Sequence, residues 1–171
     1  MCYFLYQASP LTLSEVRSML PRGLTAELAS SADHQVLKSV HPGATTVARI
    51  LVGRCSCDLV RARLGDPIED ERHLRERYRR LKVPRASMIT ALDRHRRQDR
   101  TPSSRSSRAD QLAKFVAEHA RNAGPTLYYL SFDPDPAPLS LPIGLRPVAA
   151  SAATVTGSGW LPEATLMLVT R

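Results

Sequence analysis

Lysine is nearly missing from this 171-residue chain: Lys38, Lys82 and Lys114 are the only lysines among 24 cationic side chains, and the other 21 are arginines. A GC-rich genome produces that skew through codon usage, so the formal net charge of +8 does not by itself indicate a nucleic-acid partner. Long apolar runs are missing too. No stretch approaches the roughly 18 apolar residues of a membrane-spanning helix, and the apolar start Met1 to Leu5 lacks the cationic and hydrophobic regions of a secretory leader. These absences lead to the expectation of a cytoplasmic protein with no membrane span. No internal repeat, phosphate loop or dinucleotide fingerprint is present. Cysteine is scarce and odd in number. Three residues, two of them separated by a single residue, argue against a disulfide framework in a reducing compartment, and the thiols are expected to be reduced, metal-liganded or redox-active.

What is present suffices for one domain over residues 1–171, because an apolar fraction of 43% can bury a core without staples. Cys2 to Ala8 reads as a strand. Thr12 opens a helix with a capping-box spacing to Glu15, a buried stripe of Leu13, Val16, Met19 and Leu20, and a stop at Pro21 and Gly23. Leu24 to Ser30 is a weaker strand candidate, Ser31 to Val40 one or two helical turns, and His41-Pro42-Gly43 a turn. Thr45 to Leu59 reads as one long strand with Gly53 as a bulge or point of close approach. An arginine-rich helical insertion is expected over about 66–122. Asp66 caps a helix with Pro67 at its first position and Leu74, Tyr78 and Leu81 on its apolar face. Pro84 separates it from a second helix marked by Met88, Ile89 and Leu92. A polar segment of about 100–108 reads as a mobile linker, and a third helix ends before Gly124-Pro125. Further strands are expected at Thr126 to Phe132, Arg146 to Val155 and Glu163 to Thr170, with a proline-rich turn from Asp133 to Pro142. The fold class is therefore α+β: a mostly antiparallel sheet of about five to six strands with helices packed on one face. A ferredoxin-like order fits the element list but is not favoured, on the premise that it makes the first and third strands parallel neighbours.

The cysteines carry the main functional expectation. On a strand, Cys55 and Cys57 project to one face with Cα atoms roughly 6 to 7 Å apart, close enough to share a soft metal ion after local adjustment. Thiolates favour Zn, Cu(I) or iron–sulfur ligation, and Cys2 is the third thiol available. Convergence is a topological question. If the first strand runs parallel to the Thr45 to Leu59 strand, Cys2 lies far from the pair; if antiparallel, all three sulfurs can meet. The site is read as Cys2, Cys55 and Cys57, binding a soft metal with His41 as a fourth ligand or performing thiol redox or nucleophilic chemistry; without it no cofactor is implied. Asp58 is a candidate to support a site ligand or to handle a proton, although on a regular strand it faces away from the cysteines. The structural alternative is a pair of buried thiols acting as small hydrophobes. A further alternative is a hydrolase whose nucleophile is Cys2 after removal of Met1, the terminal amine serving as base.

The charge is local. Arg49 to Arg108 holds 17 cations against 8 acids, and the remainder holds 7 against 8. Tyr78 to Arg94 resembles the helix-turn-helix of DNA-binding proteins, with Leu81, Val83, Met88 and Leu92 at its core positions. The resemblance covers about a tenth of the chain. It implies that Arg85, Ser87, Thr90 and Arg94 face the groove, joined by Arg96 and Arg97 in a nucleic-acid-binding surface over 72–108. Tyr78 is bulky where the motif places a small residue, and Lys82 stands where its turn often has glycine. The competing reading is a helical hairpin with a solvated arginine face. His119 reads as a core histidine, and of Tyr128 and Tyr129, on opposite strand faces, one is expected in the core.

Overall fold

The computed structural model describes residues 2–60, 67–98, 103–133, 139, 141, 144–155 and 161–171. Strand β1 (Cys2–Ser9) leads into α1 (Leu13–Met19), where the Thr12 side chain accepts from the Glu15 N–H and Glu15 returns to the Thr12 N–H at 2.8 Å. Strand β2 (Thr25–Leu28) is followed by α2 (Ser31–Val40), a full ten-residue helix capped by Ser30. Strand β3 (Thr46–Leu51) precedes a short helical turn, α3 (Cys57–Val60). Three helices then run in series: α4 (Pro67–Arg80), α5 (Arg85–Gln98) and α6 (Ser103–Ala123). The chain closes with β4 (Thr126–Asp133), β5 (Val148–Ser151) and β6 (Leu166–Thr170). The segment read as a linker is helical from Ser103 onward, as the first turns of α6.

The six strands form one sheet in the order β2-β3-β1-β4-β6-β5, antiparallel at every seam except β5–β6. The β2-β3-β1-β4 part is the split βαβ, ferredoxin-like order. The premise that disfavoured this order was mistaken. With β3 lying between them, β1 and β2 are parallel to one another and both antiparallel to β3.

Strand alternation sorts the core. Leu5, Ile50, Tyr128 and Leu130 meet Val16 of α1, Leu59 of α3, and Leu112, Phe115 and Val116 of α6 on one face. Tyr6, Ala8, Val47, Leu127, Tyr129 and Leu166 form the other face, covered by Leu37 of α2 and by Leu139, Leu141 and Leu145. The expected helical cover thus describes α1, α3 and α6, and α2 adds a second one. A third cluster, Leu74, Tyr78 and Leu92, joins α4 to α5 and is backed by Phe132 at the end of β4.

Candidate functional site

The antiparallel β1–β3 seam meets the condition for bringing the cysteine segments together. Leu5 faces Ile50 across it, so the chain leaving β3 emerges beside the start of β1. It does not continue as a strand. Gly53 takes φ +68°, in the left-handed region that suits glycine, and the Val52 N–H donates to the Cys55 carbonyl at 2.8 Å, closing a tight turn. Cys55 and Cys57 therefore do not share a strand face as expected: Cys55 is half-buried after the turn, while Cys57 opens α3 and is buried. Ser56, which a continued strand would turn to the face opposite the two cysteines, is completely buried.

Four hydrogen bonds fix this turn, three to β1 and one to β3. The Ser56 N–H donates to the Tyr3 carbonyl at 2.8 Å. The Ser56 hydroxyl donates to the Ile50 carbonyl at 2.6 Å and accepts the Leu5 N–H at 2.8 Å. The Tyr3 N–H donates to Cys57 Sγ at 3.4 Å. Sulfur accepts weakly as a thiol and more strongly as a thiolate, so this N–H suits a charged or metal-bound sulfur. Cys2 is the residue before Tyr3 and pairs with Asp133 of β4; its side chain lies outside the described residues, as does that of Asp58. Among the described residues, which exclude the Cys2 side chain, no three His, Cys, Asp or Glu side chains are grouped to hold a metal ion.

His41 is not brought to the cysteines. It caps the C-terminus of α2 just before β3, at the opposite end of the β1–β3 seam, and its Nε2 lies 3.2 Å from the Pro125 carbonyl. The intervening strand spans about 20 Å. As for an N-terminal nucleophile, the two packed sheets that such hydrolases use are not what the described residues form: they make one sheet.

In the helical hairpin, Arg85, Ser87 and Thr90 are exposed on α5, with the Thr90 hydroxyl bonded to the Ala86 carbonyl at 3.1 Å. The side chains of Arg94, Arg96 and Arg97 lie outside the described residues. Val83, Met88 and Leu92 pack inward as the motif requires, whereas Leu81 is 44% exposed. Lys82 adopts φ +52°, the left-handed conformation for which helix-turn-helix turns commonly use glycine.

Sequence reasoning missed a polar cluster inside the sheet face under α6. Ser9 Oγ lies 2.9 Å from His119 Nε2, and Gln7 Nε2 donates to the Tyr128 hydroxyl at 3.2 Å. All four residues are sealed from solvent, which removes the serine–histidine pair from any encounter with a substrate. Burial pushes the His119 imidazole down to about 4 and the Tyr128 phenol upward. Tyr128 and Tyr129 are both core residues, on opposite faces, so neither is placed to stack on a base. The alternation Leu5, Gln7, Ser9 could have revealed the polar positions on the core face of β1. A groove of about 410 Å³ between α6 and residues 152–155 is walled by alanines and rimmed by Asp110, Lys114, Glu118 and Arg121.

No family model, curated protein or solved structure matches the chain, so function is argued from its own geometry.

Proposed function

We propose that this chain is a thiolate-site protein whose Cys55–Cys57 turn, together with Cys2, binds a soft metal ion such as Zn or Cu(I), or performs thiol redox or nucleophilic chemistry. The observation carrying this reading is the Tyr3 N–H to Cys57 Sγ hydrogen bond, which ties the cysteine turn to the backbone next to Cys2. Buried hydrophobes need no such donor, and Cys55 is half-buried beside the buried Cys57. A reducing, cytoplasmic location belongs to this reading, because it keeps three thiols available.

The test is anaerobic titration of the reduced protein with Co(II) as a spectroscopic stand-in for Zn, and with Cu(I). A sulfur-to-metal charge-transfer band that saturates at one equivalent, and is lost in Cys57→Ser and Cys55→Ser, is the expected result. Three slowly reacting thiols with no metal uptake would refute the proposal. A retained Met1 in the intact mass disposes of the Cys2-nucleophile alternative independently.

A further inference from the structure

We propose that α4 and α5 form a duplex-DNA docking unit, with the N-terminal half of α5 entering the major groove and Arg72 and Arg79 of α4 meeting backbone phosphates. This is independent of the thiolate reading. It starts from the turn. The Lys82 N–H bonds to the Arg79 carbonyl and the Val83 N–H to the Tyr78 carbonyl, both at 3.0 Å, so α4 ends in a closed left-handed cap. The connection between the helices is only Leu81 to Pro84, and Pro84 admits no continuation of α4. Leu74 and Tyr78 are buried against Leu92, with Val83, Met88 and Ala91 packed around them. The second helix is thereby held in a fixed direction relative to the first.

The packing decides which face remains. Met88, Ala91 and Leu92 face inward, and Arg85, Ala86, Ser87, Ile89 and Thr90 are exposed. Apart from Arg85 and Ile89 these side chains are short, which lets the helix axis approach a surface closely. Ile89 is 49% exposed, an apolar group that a thymine methyl can contact. On α4, Arg72 and Arg79 are seven residues apart and share a face turned away from Leu74 and Tyr78.

Charge selects the occupant. Between Arg72 and Gln98 the sequence carries ten Lys or Arg against two acids, Glu76 and Asp93. Within this stretch Arg80 is paired with Glu76, at 3.7 Å. Of these cations, Arg72, Arg79, Lys82 and Arg85 are exposed, and such a group complements a polyanion. Geometry then favours DNA over RNA, because the major groove of B-DNA admits an α-helix and the deep, narrow groove of A-form RNA does not.

The experiment measures binding of the full chain to a fluorescent mixed-sequence DNA duplex of about two helical turns, by anisotropy, across about 50 to 200 mM salt. Binding that weakens tenfold or more over that range is expected. The triple variant Arg72→Ala/Arg79→Ala/Arg85→Ala should lose at least tenfold in affinity and flatten the log–log salt slope by about 1 per phosphate contact removed. A control triple elsewhere, Arg22→Ala/Lys114→Ala/Arg121→Ala, removes the same charge from other exposed positions and should stay within about twofold. Unchanged far-UV circular dichroism verifies both folds, and should the test triple lose helicity, the single Arg85→Ala is read by its salt slope. No retention at low salt, equal weakening by both triples, or equal affinity for duplex RNA would each overturn the proposal.

Discussion

The cysteine turn and the helical hairpin solve the placement of reactive groups in opposite ways. At the turn, backbone and a buried serine hydroxyl do the positioning: Ser56 ties Leu5 to Ile50, and Tyr3 presents its N–H to Cys57. At the hairpin, a small satellite core of Leu74, Tyr78 and Leu92 holds two helices on which Arg72, Arg79 and Arg85 are solvent-exposed. The two meet through aromatic rings, with Phe132 at 5.0 Å from Tyr3 and 5.9 Å from Tyr78 between centroids. Groups placed by the sheet's own hydrogen bonds should be costly to alter. Groups displayed on a braced hairpin should be cheap to alter while their binding role is not.

The largest expected effect tests the first half of that contrast. Ser56→Ala leaves the Leu5 N–H and the Ile50 carbonyl buried and unsatisfied, a cost of about 3 kcal/mol from two such groups. Chemical denaturation should show it as a lower midpoint with an unchanged slope. A loss below about 1 kcal/mol would mean the turn is held by something other than these bonds.

Acid separates the two regions next. His119 is fully buried and held down to about 4, against 6.5 when exposed, so the unfolded chain binds its proton first as pH falls. The stability of the neutral, buried imidazole is complete above pH 6.5 and is lost progressively down to about 4, a span of about 3 kcal/mol. His119 lies on α6 against the sheet, and the described core of the hairpin, Leu74, Tyr78 and Leu92, includes no imidazole, so this transition belongs to the sheet. Denaturation midpoints between pH 7 and 4 check this, and His119→Phe should flatten the dependence.

Leu92→Ala probes the hairpin's independence. It should cost about 2 kcal/mol in a small, partly solvated cluster able to relax. Hydrogen exchange should speed up in α4 and α5 while β1 and β4 amides stay protected. Acceleration throughout the sheet would show that the two regions unfold as one.

Much of this contrast was legible in the residues. The capping box at Thr12, Pro67 at a first helical position and the Pro84 break fix local backbone states by short-range chemistry, and the corresponding helices form where that chemistry places them, while the expected Asp66 cap lies outside the described residues. The extent of β3 was not legible. Thr45 to Leu59 carries continuous strand-like composition, and only the left-handed Gly53, ambiguous between bulge and turn, ends it early. The early end places Cys57 at the head of α3 instead of on a strand face, and it buries Ser56 as the turn's anchor. His41 illustrates the same limit: nearness in sequence to β3 says nothing about which end of the seam a loop occupies.

The smallest effect bears on the turn that joins α4 to α5. Lys82 sits at φ +52°, where a side chain with a Cβ is strained and glycine is not. Lys82→Gly relieves that strain but enlarges the freedom of the unfolded chain, so the net gain should be only about 0.5 to 1 kcal/mol. Because Leu74, Tyr78 and Leu92 brace the same turn, the gain should appear as slower exchange of α5 amides, with little change in the denaturation midpoint of the sheet. A destabilising Lys82→Gly would mean that the lysine side chain makes a stabilising contact of its own. An α5 that exchanges more slowly in Lys82→Gly would confirm that the left-handed turn serves to hold the second helix in place.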